Sequence, residues 1–413
     1  MKLRTVKNIK KLSGKRVLLR VDFNVVIKNG RVADDTKIKA ALPTINYLFK
    51  KNAKVILISH LGRPMSDVGC WMSDVGCRMS DFGKFSLKPV SKVLGKLLND
   101  KKIKFINDCV GKKVKNEIEK MKDGEIVLLE NLRFYKEEIK NSRIFAESLS
   151  RFADYYINDA FAVSHRAHSS VAAITDYLPS YAGFLIEKEM KNLSVLLKPK
   201  KPYIVLLGGA KLKTKIKLID TLSKKADKIL IGGVIANQLL KIQGYEIGKS
   251  IIKKNITNLS LRGGDSQRNA IIEIAANNKI LLPKDVITAK QINGGASAKA
   301  KKISDVLKDE IILDIGPETI REYAKILKSA KTILWNGPMG MFELKKFSSG
   351  SLSMAMAVAC SRNVFTVCGG GETTTVLNQT KMANFINCIS TGGGAMLAYL
   401  AGEELPGIKQ LSL

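Results

Sequence analysis

At 413 residues and 45.4 kDa the chain is longer than one hydrophobic core usually supports, so two domains with separate cores are expected. A 45% hydrophobic and 26% charged composition, with mean hydropathy near zero, excludes disordered, collagen-like and coiled-coil classes. No apolar run approaches the length of a membrane span, and Met1–Arg16 carries seven Lys or Arg without the apolar core of a secretory signal; the reading is cytoplasmic. Six cysteines lack CxxC spacing and read as free thiols. The unusual quantity is charge: 69 Lys plus Arg against 37 Asp plus Glu leave +32. Most of that excess is Lys spread along the whole chain, a compositional bias, with a localised part suited to anionic small molecules. Neither zinc-finger spacing nor an RNP-type aromatic run promotes nucleic acid beyond non-specific contact.

In chain order, short β-type runs occur at Val17–Arg20, Lys54–Ser59, Glu125–Glu130, Tyr155–Asn158, Tyr203–Gly208, Lys228–Gly232, Thr332–Trp335 and Asn363–Cys368. Stretches of helical period, such as Ile38, Leu42, Ile45 and Leu48, separate them. The alternation predicts an α/β protein of doubly wound parallel sheets covered by helices. Residues 185–200 read as a linker helix running into Lys198-Pro199-Lys200-Lys201-Pro202, between a domain of 1–184 and one of 201–390. A threefold heptapeptide repeat from Met65 carries a Gly in each copy and reads as a surface insertion over 65–83. Residues Asn255–Asn269 show no clear period and read as a loop or a poorly formed helix start.

All three histidines sit in two clusters, Ser59-His60-Leu61-Gly62-Arg63-Pro64 and Ser164-His165-Arg166-Ala167-His168, each just after a predicted strand. Arg20-Val21-Asp22-Phe23-Asn24 and Asn131-Leu132-Arg133-Phe134-Tyr135 occupy the same kind of position. Ligands in open α/β sheets bind beyond the carboxyl ends of strands, and the guanidinium fork matches carboxylate and phosphate oxygens. Arg20, Arg63, Arg133 and Arg166 therefore point to an anion site. The second half carries Gly208-Gly209-Ala210-Lys211 with Lys215, then Gly369-Gly370-Gly371-Glu372-Thr373, then Gly392-Gly393-Gly394. Glycines at helix starts let backbone N–H groups close on phosphate. Neither GxxxxGK[ST] nor GxGxxG is present, so P-loop and dinucleotide readings lose support. An anion site in one domain and a nucleotide site in the other suggest phosphoryl transfer with hinge-bending closure.

Eight segments, including Arg20–Val25, Ala40–Ile45, Ser59–Pro64, Leu128–Tyr135, His165–Ser170, Leu207–Lys211, Trp335–Glu343 and Ser390–Ala395, resemble the phosphoglycerate kinase family in that family's order. The resemblance implies two Rossmann-like domains, a tail from about 391 to 413 packing back on the first, and a monomer. It implies transfer between ATP/ADP with Mg2+ and 3-phosphoglycerate/1,3-bisphosphoglycerate in glycolysis. By position, Asp22, Asn24, Lys37, His60, Arg63, Arg133, Arg166 and His168 would hold the glycerate. Gly208, Gly209, Lys211, Lys215, Gly233, Asn336, Glu343, Gly370, Gly371, Glu372 and Thr373 would hold nucleotide, with Glu372 at the metal. Lys37, Lys215, Gly371 and Gly394 would stabilise the phosphoryl in flight.

The chain departs from the family at Lys37, where an arginine is usual, at Glu372 for aspartate, at Val234 for glycine and at Val26 for proline. Lysine keeps the charge of arginine but loses its fork, which predicts slower turnover of the same reaction. An impaired relative that only binds phosphate ligands or polyanions is the alternative. A dehydrogenase lacks its fingerprint.

Overall fold

The computed structural model describes residues 2–64, 83–101, 103–210, 212, 215–252 and 265–412. The repeat from Met65 and the first part of the Asn255–Asn269 stretch lie outside these. They fall into two compact units, 1–191 with 404–413 and 192–403.

In the first unit six parallel strands stand in the order β5-β6-β4-β1-β7-β8: β1 (Arg16–Arg20), β4 (Lys54–Ile58), β5 (Lys104–Ile106), β6 (Ile126–Leu129), β7 (Tyr155–Asn158) and β8 (Ser180–Ala182). A short hairpin, β2 (Ile27–Lys28) and β3 (Arg31–Val32), leaves the sheet after β1. Strand β1 is apolar on both faces: Val17 and Leu19 enter one core, Leu18 the other. Such a run cannot sit at a solvated surface, so it takes the centre of the sheet with helices on either side. Helix α1 (Thr36–Lys50) supplies Ile38, Ala41, Ile45 and Leu48 to the first core; the 3–4 residue spacing places them on one face. Helix α2 (Lys88–Leu97) adds Val90 and Leu94. From β1 the chain passes to β4, on to the edge strand β5 and back to β6, and only then crosses to β7 on the other side of β1, so β1 flanks the topological switch point, where strand ends leave a crevice for ligand.

Helix α3 (Phe184–Val195) crosses the division at Lys191/Asn192. Its first turn is held by Asp159, which accepts from the N–H groups of Leu185 (2.8 Å) and Ile186 (3.3 Å), while the Thr44 hydroxyl accepts from Phe184 N at 2.9 Å. The returning segment begins at Glu404. Helix Gly394–Leu400 belongs to the second unit, so the tail is shorter than the expected 391–413.

The second unit repeats the plan, with order β11-β10-β9-β15-β16-β17 around β9 (Tyr203–Leu207). Strands β10 (Lys228–Ile231), β15 (Thr332–Asn336), β16 (Phe365–Gly369) and β17 (Cys388–Ser390) pair parallel, as does the short edge strand β11 (Ile280–Leu281). A separate antiparallel sheet of β12 (Asp285–Ala289), β13 (Lys299–Lys302) and β14 (Ile311–Ile315) was not expected from sequence. Asp265–Ala276 is a helix, so the second of the two readings of Asn255–Asn269, a helix start, holds for its last residues. Among the described residues no helix is long and apolar enough to cross a membrane, and Cys109, Cys360, Cys368 and Cys388 are free.

Candidate active site

The turn after β4 is built by side chains from neighbouring strand ends. Ser59 Oγ donates to Val21 O and accepts from Phe23 N, both at 2.8 Å, tying the ends of β1 and β4 together. Asn131, after β6, clamps the same turn: its amide nitrogen donates to Leu61 O (2.7 Å) and Phe85 O (3.0 Å), and its oxygen accepts from Leu61 N (3.1 Å) and Arg133 N (3.0 Å). Gly62 sits at φ +63° with Phe85 atoms 2.6 Å from where a Cβ would stand, so this bend requires glycine. Its N–H donates to Asn24 Oδ1 at 2.8 Å, and its carbonyl accepts from Arg133 Nη1.

Around this turn Asp22, Asn24, Lys37, His60, Arg63, Arg133, Arg166 and His168 gather at one end of the sheet. Cation crowding is the dominant feature. Burial, with Arg20, Arg166 and Arg63 nearby, lowers the Arg133 guanidinium to about 10. Burial, then Arg133, Arg20 and Arg166, lowers His168 to about 3; burial and the same kind of neighbours hold His60 well below its usual range. Both imidazoles are therefore neutral at pH 7. Arg20 Nη2 lies 3.1 Å from His60 Nδ1, and because a guanidinium only donates, Nδ1 accepts and Nε2 carries the proton. Lys37 Nζ is 2.8 Å from Asp22 Oδ2 and one-third exposed, so at rest it is paired rather than free.

Arg20 is not a surface ligand-binding group. It is fully buried, donating from Nε to Ser170 Oγ (2.9 Å) and from Nη1 to Val21 O. Ser170 Oγ donates to Glu138 Oε1 at 2.6 Å, and Ser170 N donates to Glu138 Oε2 at 2.9 Å. Glu138, fully buried and 3.9 Å from His168 Nδ1, is the counter-charge beneath the basin. Nothing in the sequence singled it out, because its role depends on a Ser thirty-two positions away.

In the second unit Gly208 and Gly209 continue from β9 against Gly337 and Pro338. A Cβ on Gly208 would fall 1.9 Å from Pro338 O, and Gly209 N donates to that carbonyl at 2.9 Å. Gly233 (φ +62°) approaches Gly209 N to 2.8 Å from its own Cβ position. The result is a cavity of about 180 Å³ lined by Gly209, Gly233, Val234, Met339, Glu343 and Glu372, among others. Its walls are mostly glycine backbone and apolar side chains, with the exposed carboxylates of Glu343 and Glu372 and the buried one of Asp314, the character of a small-molecule site. Val234 does project into that lining.

The other expected nucleotide residues among those described lie on the strand ends and turns of the same unit without lining the cavity. Lys215 is buried with Nζ donating to Gly208 O (2.7 Å) and Asn336 O (3.3 Å); burial lowers it to about 8, with Glu372 opposing the shift. Asn336 Nδ2 donates to Gly369 O at 2.7 Å, and Thr373 Oγ1 accepts from Gly337 N at 2.7 Å. Those two polar groups join β15 to the turn after β16 rather than lining the cavity. Gly370 (φ +98°) precedes the helix Gly371–Gln379, with open space at Gly371, and Gly394 opens the helix Gly394–Leu400. Lys211 lies outside the described residues. Among the described residues no three His, Cys, Asp or Glu form a metal cluster. Glu372, exposed beside the Gly209 turn, suits Mg2+ held by one carboxylate and substrate phosphates.

Two doubly wound units, each with anion-suited groups at the carboxyl ends of its strands, define a protein of the phosphate-handling α/β class. The sequence profile described as phosphoglycerate kinase matches residues 6–403. The phosphoglycerate kinase of Dictyoglomus turgidum is 44% identical over 97% of this chain and 96% of its own; that of Borrelia garinii is 42% identical over the full length of both. A solved phosphoglycerate kinase from Coxiella burnetii superposes with a TM-score of 0.81 at 37% identity, covering 99% of this chain and 98% of its own. The Pyrococcus horikoshii structure gives 0.82 at 32%, with the same coverage. The chain belongs to the phosphoglycerate kinase family.

Proposed function

We propose that the chain catalyses reversible phosphoryl transfer between ATP and the carboxylate of 3-phosphoglycerate, giving ADP and 1,3-bisphosphoglycerate. The observation that carries this reading is the crowding of Arg20, Arg63 and Arg166 around the Arg133 guanidinium, which adds to the larger effect of its burial, with Glu138 and Asp22 as the nearby counter-charges among the described residues. A multiply anionic ligand relieves that repulsion. Arg63, Arg133 and Arg166 bind its phosphate and carboxylate oxygens, and His60 donates from Nε2 as a neutral imidazole. The attacking carboxylate oxygen is already ionised at pH 7, so no general base is needed, consistent with two histidines whose protons do not titrate near neutrality.

In the second unit the 180 Å³ cavity receives the base, Glu343 faces the sugar, and the turns at Gly208–Gly209 and Gly370–Gly371 present backbone to phosphates. Mg2+, held by Glu372, would neutralise charge on the nucleotide phosphates. In its own unit Lys215 exchanges its resting carbonyl partners for the nucleotide's terminal phosphate, whose charge it stabilises with the helix starts at Gly371 and Gly394, and in the other unit Lys37 exchanges Asp22 for the acceptor's anionic group. The protein acts as a cytoplasmic monomer in glycolysis. Nothing in the comparisons supports the impaired, binding-only alternative.

The test is a coupled assay of ATP-dependent 1,3-bisphosphoglycerate formation by the unmodified chain beside Lys37→Arg and Glu372→Asp. Turnover in the unmodified chain, equal or faster in the variants, is expected. No turnover in any of the three rejects the proposal.

A further inference from the structure

Outside both sites part of the charge excess is ordered on one helix face. Helix α2 places Lys88, Lys92 and Lys96 at i, i+4 and i+8, all exposed. At 1.5 Å rise per residue that makes a row of ammonium groups about 6 Å apart on one helix face. The three line a groove of about 1290 Å³ whose opposite side is the β2–β3 hairpin, from which Arg31 adds a guanidinium. Among the described residues none of these four cations has an acidic partner within ion-pair distance, unlike Lys39, Lys104 or Lys224 elsewhere. Glu130 is the only carboxylate of the lining, and it is occupied: it accepts from Leu87 N (2.8 Å), Asn131 N (2.8 Å) and Ser86 Oγ (2.7 Å). The floor includes Phe105, half-buried on edge strand β5.

We infer that this groove binds single-stranded nucleic acid without sequence preference, the phosphates tracking Lys88, Lys92 and Lys96 and a base resting on Phe105. Among the described residues these four cations have no ion-pair partner and the lining offers no free carboxylate, so the surface gains on meeting a polyanion, because counterions are released from the ligand. A linear row favours a linear polymer over a compact phosphate ester. The half-exposed aromatic beside the row distinguishes a nucleic acid strand, whose every base has a face to stack, from an acidic peptide. The groove uses no residue assigned to the kinase reaction, so the two activities separate by mutation.

The experiment is fluorescence anisotropy of a labelled 12-nucleotide oligodeoxythymidylate titrated with the full chain at several salt concentrations. For the triple variant Lys88→Gln, Lys92→Gln, Lys96→Gln, binding at low salt weakens at least about tenfold. The slope of log affinity against log salt falls by about 2, the share of three phosphate contacts on a single strand. Phe105→Leu weakens binding about fivefold or more with the slope unchanged. A control triple variant, Lys299→Gln, Lys302→Gln, Lys308→Gln, removes the same charge from exposed positions of the other unit and changes affinity less than about twofold. Unchanged kinase turnover in the Lys88/Lys92/Lys96 variant certifies its fold. Equal losses in the two triple variants would mean that only total charge matters and would overturn the inference. So would polyglutamate of matched charge displacing the oligonucleotide as well as unlabelled oligonucleotide does.

Discussion

Replacing Glu138 by Gln removes the one fully buried carboxylate under the basin while keeping its shape. Two hydrogen bonds, 2.6 and 2.9 Å, run from Glu138 through Ser170 Oγ to Arg20 Nε, so carboxylate and guanidinium lie less than about 6 Å apart. At an effective dielectric near 20 a pair at that separation is worth roughly 3 kcal/mol. A charge-assisted bond lost from Ser170 contributes roughly 1.5–3 kcal/mol more, and the amide NH2 meets a donor wherever it faces Ser170 N. With partial relaxation the expected destabilisation is about 3–5 kcal/mol, the usual range for breaking a buried charge pair from one side. The distinguishing feature is rescue. With Glu138 gone, the cations of the basin lack their counter-charge, and a multiply charged ligand restores it, so 3-phosphoglycerate stabilises the variant more than the parent. Urea unfolding of both proteins, with and without saturating 3-phosphoglycerate, measures this. A loss under about 1 kcal/mol, or the same ligand-induced gain in both, refutes the argument that Glu138 balances the basin.

Three further outcomes are expected. Lys215, lowered by burial to about 8, is protonated at pH 7 and loses its charge as pH rises through 8; turnover falls on that limb, and Lys215→Arg removes the fall at reduced rate, read from a kcat–pH profile. Burial raises Asp159 and Asp314 to about 7 from 3.8, so between about pH 4 and 7 the native state holds protons that the unfolded chain has released. Their contribution therefore declines as pH rises through that window, by up to roughly 4 kcal/mol per group; Asp159→Asn, followed by denaturant melts at pH 5 and 8, flattens the dependence. Gly208→Ala puts a methyl 1.9 Å from Pro338 O, a backbone atom that cannot turn aside, and weakens nucleotide binding at least about tenfold by calorimetry while the first unit keeps its glycerate affinity.

The sequence made the two parallel sheets legible because their central strands are apolar on both faces and recur between helical stretches. Val17–Arg20, Tyr203–Leu207 and Thr332–Asn336 could hardly be anything else. Edge elements left little trace: Lys104–Ile106 and Ser180–Ala182 are three residues long, and Lys299–Lys302 is mostly lysine, stabilised as a strand by antiparallel pairing with Asp285–Thr288. In the basin, chemistry-bearing residues announced themselves through position after strands, as His60, Arg63, Arg133 and Arg166 did. What holds them could not be read. Ser59, Asn131, Ser170 and Glu138 are ordinary polar residues whose partners are set by strand order, and Arg20 resembled a ligand-binding arginine until burial placed it behind His60.

Residues 404–412 complete the first unit after roughly two hundred residues of the second. Asn158 Nδ2 donates to Gly407 O at 2.9 Å, Arg4 N to Leu411 O at 2.8 Å, and Leu3 bridges Ser412. On the ribosome, then, the strand ends that carry the anion basin emerge early, yet the piece that seals Asn158 behind them is translated only after the entire nucleotide-binding unit. The second unit can finish folding while the first still waits. Vectorial synthesis thus leaves an interval in which Val171 and Ser164, which Gly407 later covers, stand open to chaperones or to another nascent chain.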